Sequence, residues 1–188
     1  MSLPKYQEIL DFWFKESSSK DHWAKNDEYD QKIRDRFLED VEKAIKNEYD
    51  DWQDEAKSSL ALIILLDQFS RNLFRNNPKS YSQDTKARLL VTEGVDRQYL
   101  DELENSEKFF YLLPLIHSED LQDHIYLHQL GEVFLKDNPK LSKGINLYLS
   151  GKEKLSRMEA SLAVADIKQC LTMLDKNVLF ERMALFDS

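Results

Sequence analysis

Residues 60–75 of this chain read Leu-Ala-Leu-Ile-Ile-Leu-Leu-Asp-Gln-Phe-Ser-Arg-Asn-Leu-Phe-Arg. The first seven of them are apolar, and such a run is typical of a helix that is buried on every side. Asp67, Arg71 and Arg75 then follow at intervals of four residues, which predicts one column on a helix. Charged groups enter a core only when they are paired or carry function. The segment therefore predicts either a structural polar cluster or a ligand site in a helical core.

The composition predicts one soluble all-α domain. The chain has 188 residues, 41% of them hydrophobic and 32% charged, which suits a single domain covering residues 1–188. Only 4 Gly and 4 Pro interrupt it, so long helices with short connections are favoured. Apolar residues recur at helical spacing, and no strand alternation is visible. We expect seven to eight antiparallel helices in a compact bundle or a stack of helical hairpins.

Capping residues, glycines and prolines mark the predicted helix boundaries. Ser58 is expected to cap the third helix, and Pro114 to stop or kink the fifth. The predicted helices span residues 4–15, 26–49, 58–75, 82–94, 107–113, 118–137, 138–151 and 152 to beyond 178.

Charge and targeting signals exclude several classes of protein. The net charge of −9 would repel a phosphate backbone, so no nucleic-acid partner is expected. The single Cys170 predicts a buried structural thiol in a reducing compartment. The N-terminus lacks a signal core and the apolar run 60–66 is too short to cross a membrane, so we expect a cytoplasmic protein. No glycine-rich phosphate loop or nucleophile elbow is present, and no cofactor is predicted.

The polar end of the opening segment is the first candidate site. Asp67 and Arg71 can pair directly, Arg75 extends their column, and Gln68 and Asn72 form a neighbouring row. The column carries a net charge of +1, which suits a carboxylate or phosphate held by guanidinium groups and an amide. The alternative is a structural ion pair that satisfies itself and nearby loop carbonyls.

His117 is the second candidate, because it follows an apolar run and is expected to point inward. Glu119 and Asp120 follow it, so the segment combines a base with two carboxylates. A histidine can act as a general base near neutral pH when a substrate lies within reach. The alternative is a hydrogen-bonded core histidine, with the carboxylates stabilising a helix N-terminus.

Asp120, His124 and His128 repeat every four residues and could ligate a metal. The expected buried stripe through Leu121 and Ile125 would leave them at the helix edge, so no metal site is predicted. Aromatic residues near the N-terminus and at residue 52 could form a ligand cage, although packing at helix junctions is favoured. They are Phe12, Trp13, Phe14, Trp23 and Trp52.

Residues spread from Ile9 to Leu121 form a recognisable pattern. They include Asp11-Phe12-Trp13-Phe14, Trp23, Asp30, Phe37, Asp51-Trp52, Leu60-Ala61, Leu66-Asp67-Gln68-Phe69-Ser70-Arg71-Asn72, Arg75, Pro78, Asp84, Ala87 and Pro114-Leu115-Ile116-His117-Ser118-Glu119-Asp120. The pattern resembles domain of unknown function 924, a mainly bacterial family placed with the tetratricopeptide-like helical folds. The resemblance implies a tetratricopeptide-like helical fold and no particular activity.

The family pattern also has a C-terminal block similar to Arg-Phe-Gly-Arg-Phe-Pro-His-Arg-Asn. Residues 174–182 are the nearest equivalent here, and they lack the Gly-Arg-Phe-Pro portion. If the two blocks converge on one pocket, half of that pocket is missing or rebuilt in this chain.

Two functions follow from these patterns. The first is an interaction module of tetratricopeptide-like type that binds a protein or peptide partner. The alternative is a small-molecule binding protein or hydrolase. In that case Arg71, Asn72 and Arg75 would orient an anionic ligand, and His117 with Glu119 would act as base and orienting partner. The observation that bears on this choice is whether His117 comes within hydrogen-bond reach of Asp67 or Arg71 around an open cavity. An Asp67–Arg71 pair that is sealed without a cavity would reject the site.

Overall fold

A computed structural model of the protein describes residues 3–134. Every secondary-structure element in this range is helical, so the predicted all-α fold class is confirmed. The helices are α1 (Lys5–Asp11), α2 (Ser19–Trp23), α3 (Asp27–Ile45), α4 (Ala56–Ile63), α5 (Ser70–Leu73), α6 (Asp84–Asp96), α7 (Tyr99–Glu102), α8 (Asn105–His117) and α9 (Leu121–Phe134). Two π-helical segments, Phe12–Glu16 and Ile64–Phe69, continue α1 and α4, and two 3₁₀ turns cover Asp50–Asp54 and Pro78–Tyr81.

Residues 3–16 and 26–127 form one compact unit, and residues 17–25 and 128–134 belong to a second. The second unit contains α2, a short helix that the sequence patterns did not predict. Ser18 and Asp21 form a capping box at its start, because each side chain accepts a hydrogen bond from the other's backbone N–H. The predicted helices after residue 137, Cys170 and residues 174–182 lie outside the described residues.

The opening segment forms the core of the first unit. Every residue from 58 to 70 is buried, as the run of apolar residues predicts. α4 contacts α1, α6 and α8, while the π segment Ile64–Phe69 contacts α3, α6 and α8. Helices on several sides therefore enclose α4 and the π segment, and this explains why even the polar residues of this stretch have little access to solvent.

The start of α4 differs from the prediction. The helix begins at Ala56, so Ser58 is not its cap. Instead, the buried Ser58 hydroxyl donates a hydrogen bond to the Trp52 carbonyl oxygen, 2.7 Å away. This bond connects the helix to the preceding 3₁₀ turn.

Pro114 lies inside α8, so the predicted stop at this proline is wrong. Proline removes one backbone hydrogen bond from a helix. Every residue from 110 to 116 is buried, and α8 packs against α4 and α6, so the burial of apolar surface outweighs that loss. Because α8 continues past Pro114, His117 lies at the end of this helix, beside the π segment Ile64–Phe69.

Aromatic packing joins α1 to this core. The rings of Phe12 and Phe37 lie 5.0 Å apart, and Trp13 contacts Phe69 at 5.6 Å and Phe110 at 5.3 Å between ring centroids. For Phe12 and Trp13, the expected packing at helix junctions is confirmed. Within residues 3–134, no helix is long and apolar enough to span a membrane.

Candidate functional site

Asp67 is a fully buried carboxylate at the centre of the candidate site. It accepts hydrogen bonds from Gln68 Nε2 at 2.5 Å, Arg71 Nη2 at 3.0 Å and His117 Nδ1 at 3.0 Å. Burial by itself would raise the pKa of Asp67, but His117, Arg71 and the Gln68 hydrogen bond outweigh it and lower this pKa to about 2. Asp67 is therefore ionised at neutral pH.

The ionised state of Asp67 determines which nitrogen of His117 carries a proton. A carboxylate can only accept hydrogen bonds, so Nδ1 must be the donor in this pair. In neutral His117, Nε2 therefore has a free lone pair. No described residue bonds to Nε2, and 27% of the His117 side chain is exposed. The pair thus connects a buried carboxylate to an imidazole at the surface.

Arg71 joins a second carboxylate to the site. Its Nη2 lies 3.0 Å from both oxygens of Asp84 at the start of α6, and its guanidinium lies 5.0 Å from the centre of the Tyr81 ring. Burial opposes a charged Arg71, but Asp67 and Asp84 together raise its pKa. The pKa of Asp84 is also raised, first because of burial and then because of the nearby Asp67 charge. We call Asp67, Gln68, Arg71, Asp84 and His117 the Asp67 cluster.

The predicted column is correct for Asp67 and Arg71 but wrong for Arg75. The helix ends at Leu73, so Arg75 lies beyond it. Arg75 binds Asp30 of α3 through Nε and Nη2, and Asn72 Nδ2 donates to the same carboxylate at 2.7 Å. Asn72 and Arg75 therefore form a separate polar group with α3.

The remaining sequence candidates lie in different places. Gln68 is buried in the Asp67 cluster, whereas Glu119 is exposed. Asp84 and Tyr81 were not predicted as site residues. The only signal for Asp84 was its place in the family pattern, since no local spacing connects it to Arg71.

Asp84 also changes the charge of the site. With Arg71 and two carboxylates, the Asp67 cluster has a formal charge of −1 when His117 is neutral and zero when it is protonated. The predicted charge of +1 depended on Arg75, which Asp30 neutralises. Both guanidinium groups are thus engaged by carboxylates of this chain.

The candidate metal column has a different arrangement from the one expected. His124 is buried, and its Nε2 lies 2.7 Å from the Ser118 carbonyl oxygen. Leu121 and Ile125, expected in the buried stripe, are 68% and 43% exposed. Among the residues that the structure describes, no group of three or more His, Cys, Asp or Glu side chains could hold a metal ion.

Comparison with known proteins gives two matches. The family model described as "Bacterial protein of unknown function (DUF924)" matches residues 9–169. A solved structure, described as a protein of unknown function ATU0120 from Agrobacterium tumefaciens, is 30% identical, with a TM-score of 0.63. The match covers 75% of this chain and 82% of that one. None of the curated proteins matches this chain.

Proposed function

The chain belongs to the bacterial family of unknown function DUF924, and since membership supplies no activity, we propose that it binds a small polar ligand at the Asp67 cluster. The hydrogen bond between Asp67 and His117 carries this proposal. It joins the core helix to the end of α8 and holds one imidazole nitrogen in a defined protonation state.

His117 is the group that contacts the ligand. Asp67 orients the ring through Nδ1, which leaves Nε2 of the neutral imidazole as a hydrogen-bond acceptor. A purely structural ion pair between Asp67 and Arg71 would not require a partly exposed imidazole on the same carboxylate. The shared carboxylate therefore favours a site over a structural ion pair alone.

The charges indicate which ligands are favoured. An anion would have to draw Arg71 away from Asp84 or bind while His117 is protonated. A ligand that donates a hydrogen bond from a hydroxyl group to Nε2 needs neither of these changes. We therefore infer a hydroxyl-bearing ligand in place of the anion that the sequence pattern favours.

A hydrolytic reaction is the natural extension of this binding mode. His117 would accept a proton from water or a hydroxyl group through Nε2, and Asp67 would stabilise the imidazolium that forms. The predicted orienting partner was Glu119, which is exposed, and Asp67 takes that role here.

The interaction module of tetratricopeptide-like type remains a second candidate. The observation that favours it is a surface groove beside Trp52, away from the Asp67 cluster. Partner binding would use that groove, so the two functions can be tested separately.

The proposed site is tested by comparing the wild type with His117→Asn. The asparagine amide can still donate a hydrogen bond to Asp67, but it has no equivalent of Nε2. Thermal unfolding is measured with a panel of sugars, hydroxy acids and nucleosides, and hydrolysis with a panel of p-nitrophenyl esters. We expect at least one compound to raise the Tm of the wild type and not that of His117→Asn, since a ligand that binds only the folded state stabilises it. Equal stabilisation of both proteins by every active compound, or no stabilisation, would reject the site.

A further inference from the structure

A surface groove of about 450 Å³ lies where the start of α1 meets the 3₁₀ turn Asp50–Asp54. Three aromatic side chains line it, Tyr6, Tyr49 and Trp52, and we call them the groove aromatics. The volume falls in the range typical of small-molecule sites, about 300–1,000 Å³. None of its lining residues belongs to the Asp67 cluster, so this groove is independent of the ligand site proposed there, although partner binding, the second candidate, would occupy the same groove.

The groove aromatics hold one another in place. Tyr49 and Trp52 stack with ring centroids 4.0 Å apart and planes 7° from parallel. Tyr6 meets Trp52 edge-on at 6.1 Å. The Tyr49 hydroxyl donates a 2.7 Å hydrogen bond to Asp40, which is buried. The aromatic wall is therefore formed before any ligand arrives, although all three side chains remain half-buried and reachable.

Carboxylates surround this aromatic wall. Asp51, Asp54 and Glu55 line the groove, and Lys5 is the one cation among its lining residues in the described part of the chain. Arg97 pairs with Asp54 at 3.1 Å, whereas Asp51 and Glu55 have no ion pair with any described residue. Asp40 and Glu8 hold the Lys5 ammonium at 3.2 and 3.0 Å, so its charge is already compensated. The groove therefore presents aromatic rings and uncompensated negative charge together.

We propose that this groove binds a small organic cation of the ammonium class. The face of an aromatic ring attracts a cation through its quadrupole, and the attraction is stronger for Trp than for Tyr or Phe. Asp51 and Glu55 add negative charge, which attracts a cation, at the same opening. A free small molecule is the occupant that the groove's volume favours, and a lysine side chain of a partner protein is the competing one.

Choline and its uncharged carbon analogue 3,3-dimethylbutan-1-ol test the proposal, because they have the same shape and differ in charge. The chain has 3 Trp, and the indole Nε1–H signal of Trp52 can be assigned by NMR from its loss in Trp52→Leu. We expect choline to shift this signal saturably, with an affinity at least about tenfold higher than that of the analogue. Equal affinity for the two compounds would overturn the proposal.

Charge variants provide the matched control. Asp51→Asn with Glu55→Gln should weaken choline binding about fivefold and leave binding of the neutral analogue unchanged. Glu93→Gln with Asp96→Asn removes the same charge from exposed positions of α6 and should leave choline binding unchanged. An unchanged choline affinity in the groove variant, or equal losses in both variants, would overturn the proposal. Tighter binding of the capped peptide acetyl-Gly-Lys-Gly-amide than of choline would identify a protein side chain as the occupant instead and would also overturn it.

Discussion

His117 Nδ1 lies 3.0 Å from Oδ1 of Asp67, so a buried carboxylate is hydrogen-bonded to a histidine side chain that is 27% exposed. The same carboxylate also holds Arg71, which in turn binds Asp84. Removing the charge of Asp67 should therefore affect the protein differently from removing the charge of Asp84. Both carboxylates bind the same guanidinium, which makes them a matched pair.

We expect Asp67→Asn to lower the free energy of unfolding by about 3 kcal/mol, because it removes the buried charge that Arg71 and His117 both bind. Asp84 is 31% exposed on its side chain, and we expect Asp84→Asn to change the same free energy by about 1 kcal/mol or less. Urea unfolding followed by circular dichroism measures both. Equal losses for the two variants would mean that burial does not distinguish these carboxylates.

The two carboxylates should also have opposite effects on the pH dependence of stability. The pKa of Asp67 falls from 3.8 to about 2 on folding, so its contribution is present above about pH 4 and is lost as the pH falls towards 2. The shift corresponds to about 2 kcal/mol. We expect the stability difference between the wild type and Asp67→Asn to shrink over this range in urea titrations at successive pH values.

Asp84 gives the control for this titration, because folding raises its pKa. A raised pKa means that the folded state binds the proton more readily, so the contribution of Asp84 to stability decreases as the pH rises through its folded pKa. The difference between the wild type and Asp84→Asn should therefore change with pH in the opposite direction. A common direction for both variants would contradict the assigned shifts.

The division of the predicted column can be tested by double-mutant cycles. Arg75 binds Asp30 with two nitrogens, and Asp30 is only 14% exposed on its side chain. We expect a coupling free energy of about 1 kcal/mol between Arg75→Gln and Asp30→Asn. The cycle of Arg75→Gln with Asp67→Asn should be additive within about 0.5 kcal/mol. Chemical unfolding supplies the free energies. Strong coupling in the second cycle would show that Arg75 interacts with Asp67 in one column, as the sequence pattern predicts.

Gly94 gives a prediction about packing in α6. A Cβ atom at this position would collide with the Tyr111 hydroxyl and lie 2.7 Å from its Cζ atom. That hydroxyl bonds Ser59 at 2.9 Å and the Leu90 carbonyl oxygen at 3.2 Å, so it cannot move freely. We expect Gly94→Ala to lower the free energy of unfolding by about 3 kcal/mol.

Tyr111→Phe removes the colliding oxygen and is the matched variant for this test. It should be destabilising by about 1 kcal/mol, since the Ser59 hydroxyl loses its partner. The double variant should lose less stability than the sum of the two single losses, because part of the collision disappears. Thermal unfolding checks this, and simple additivity would place the strain elsewhere.

Local patterns predicted much of the helical structure. The helix predicted to start near residue 26 is α3, and the Asn26 side chain caps it by accepting hydrogen bonds from the N–H groups of Glu28 and Tyr29. Apolar residues spaced four apart, Ile33 and Phe37 among them, also indicate the buried face of this helix. Pro114 misled the prediction because the cost of a missing backbone hydrogen bond is local, whereas the burial that compensates for it comes from packing against α4 and α6.

The amino-acid sequence alone predicted a helical chain, burial of the apolar run 60–66, and a pair between Asp67 and Arg71 four residues later. These properties depend on periodicity and on contacts within one helix. Helix packing, in contrast, brings His117 to the carboxylate of Asp67, 50 residues away in sequence, and pairs Asp84 with Arg71 and Asp30 with Arg75 separately. Such partners meet because whole helices pack together, and no spacing along the chain encodes which polar side chains that packing brings into contact.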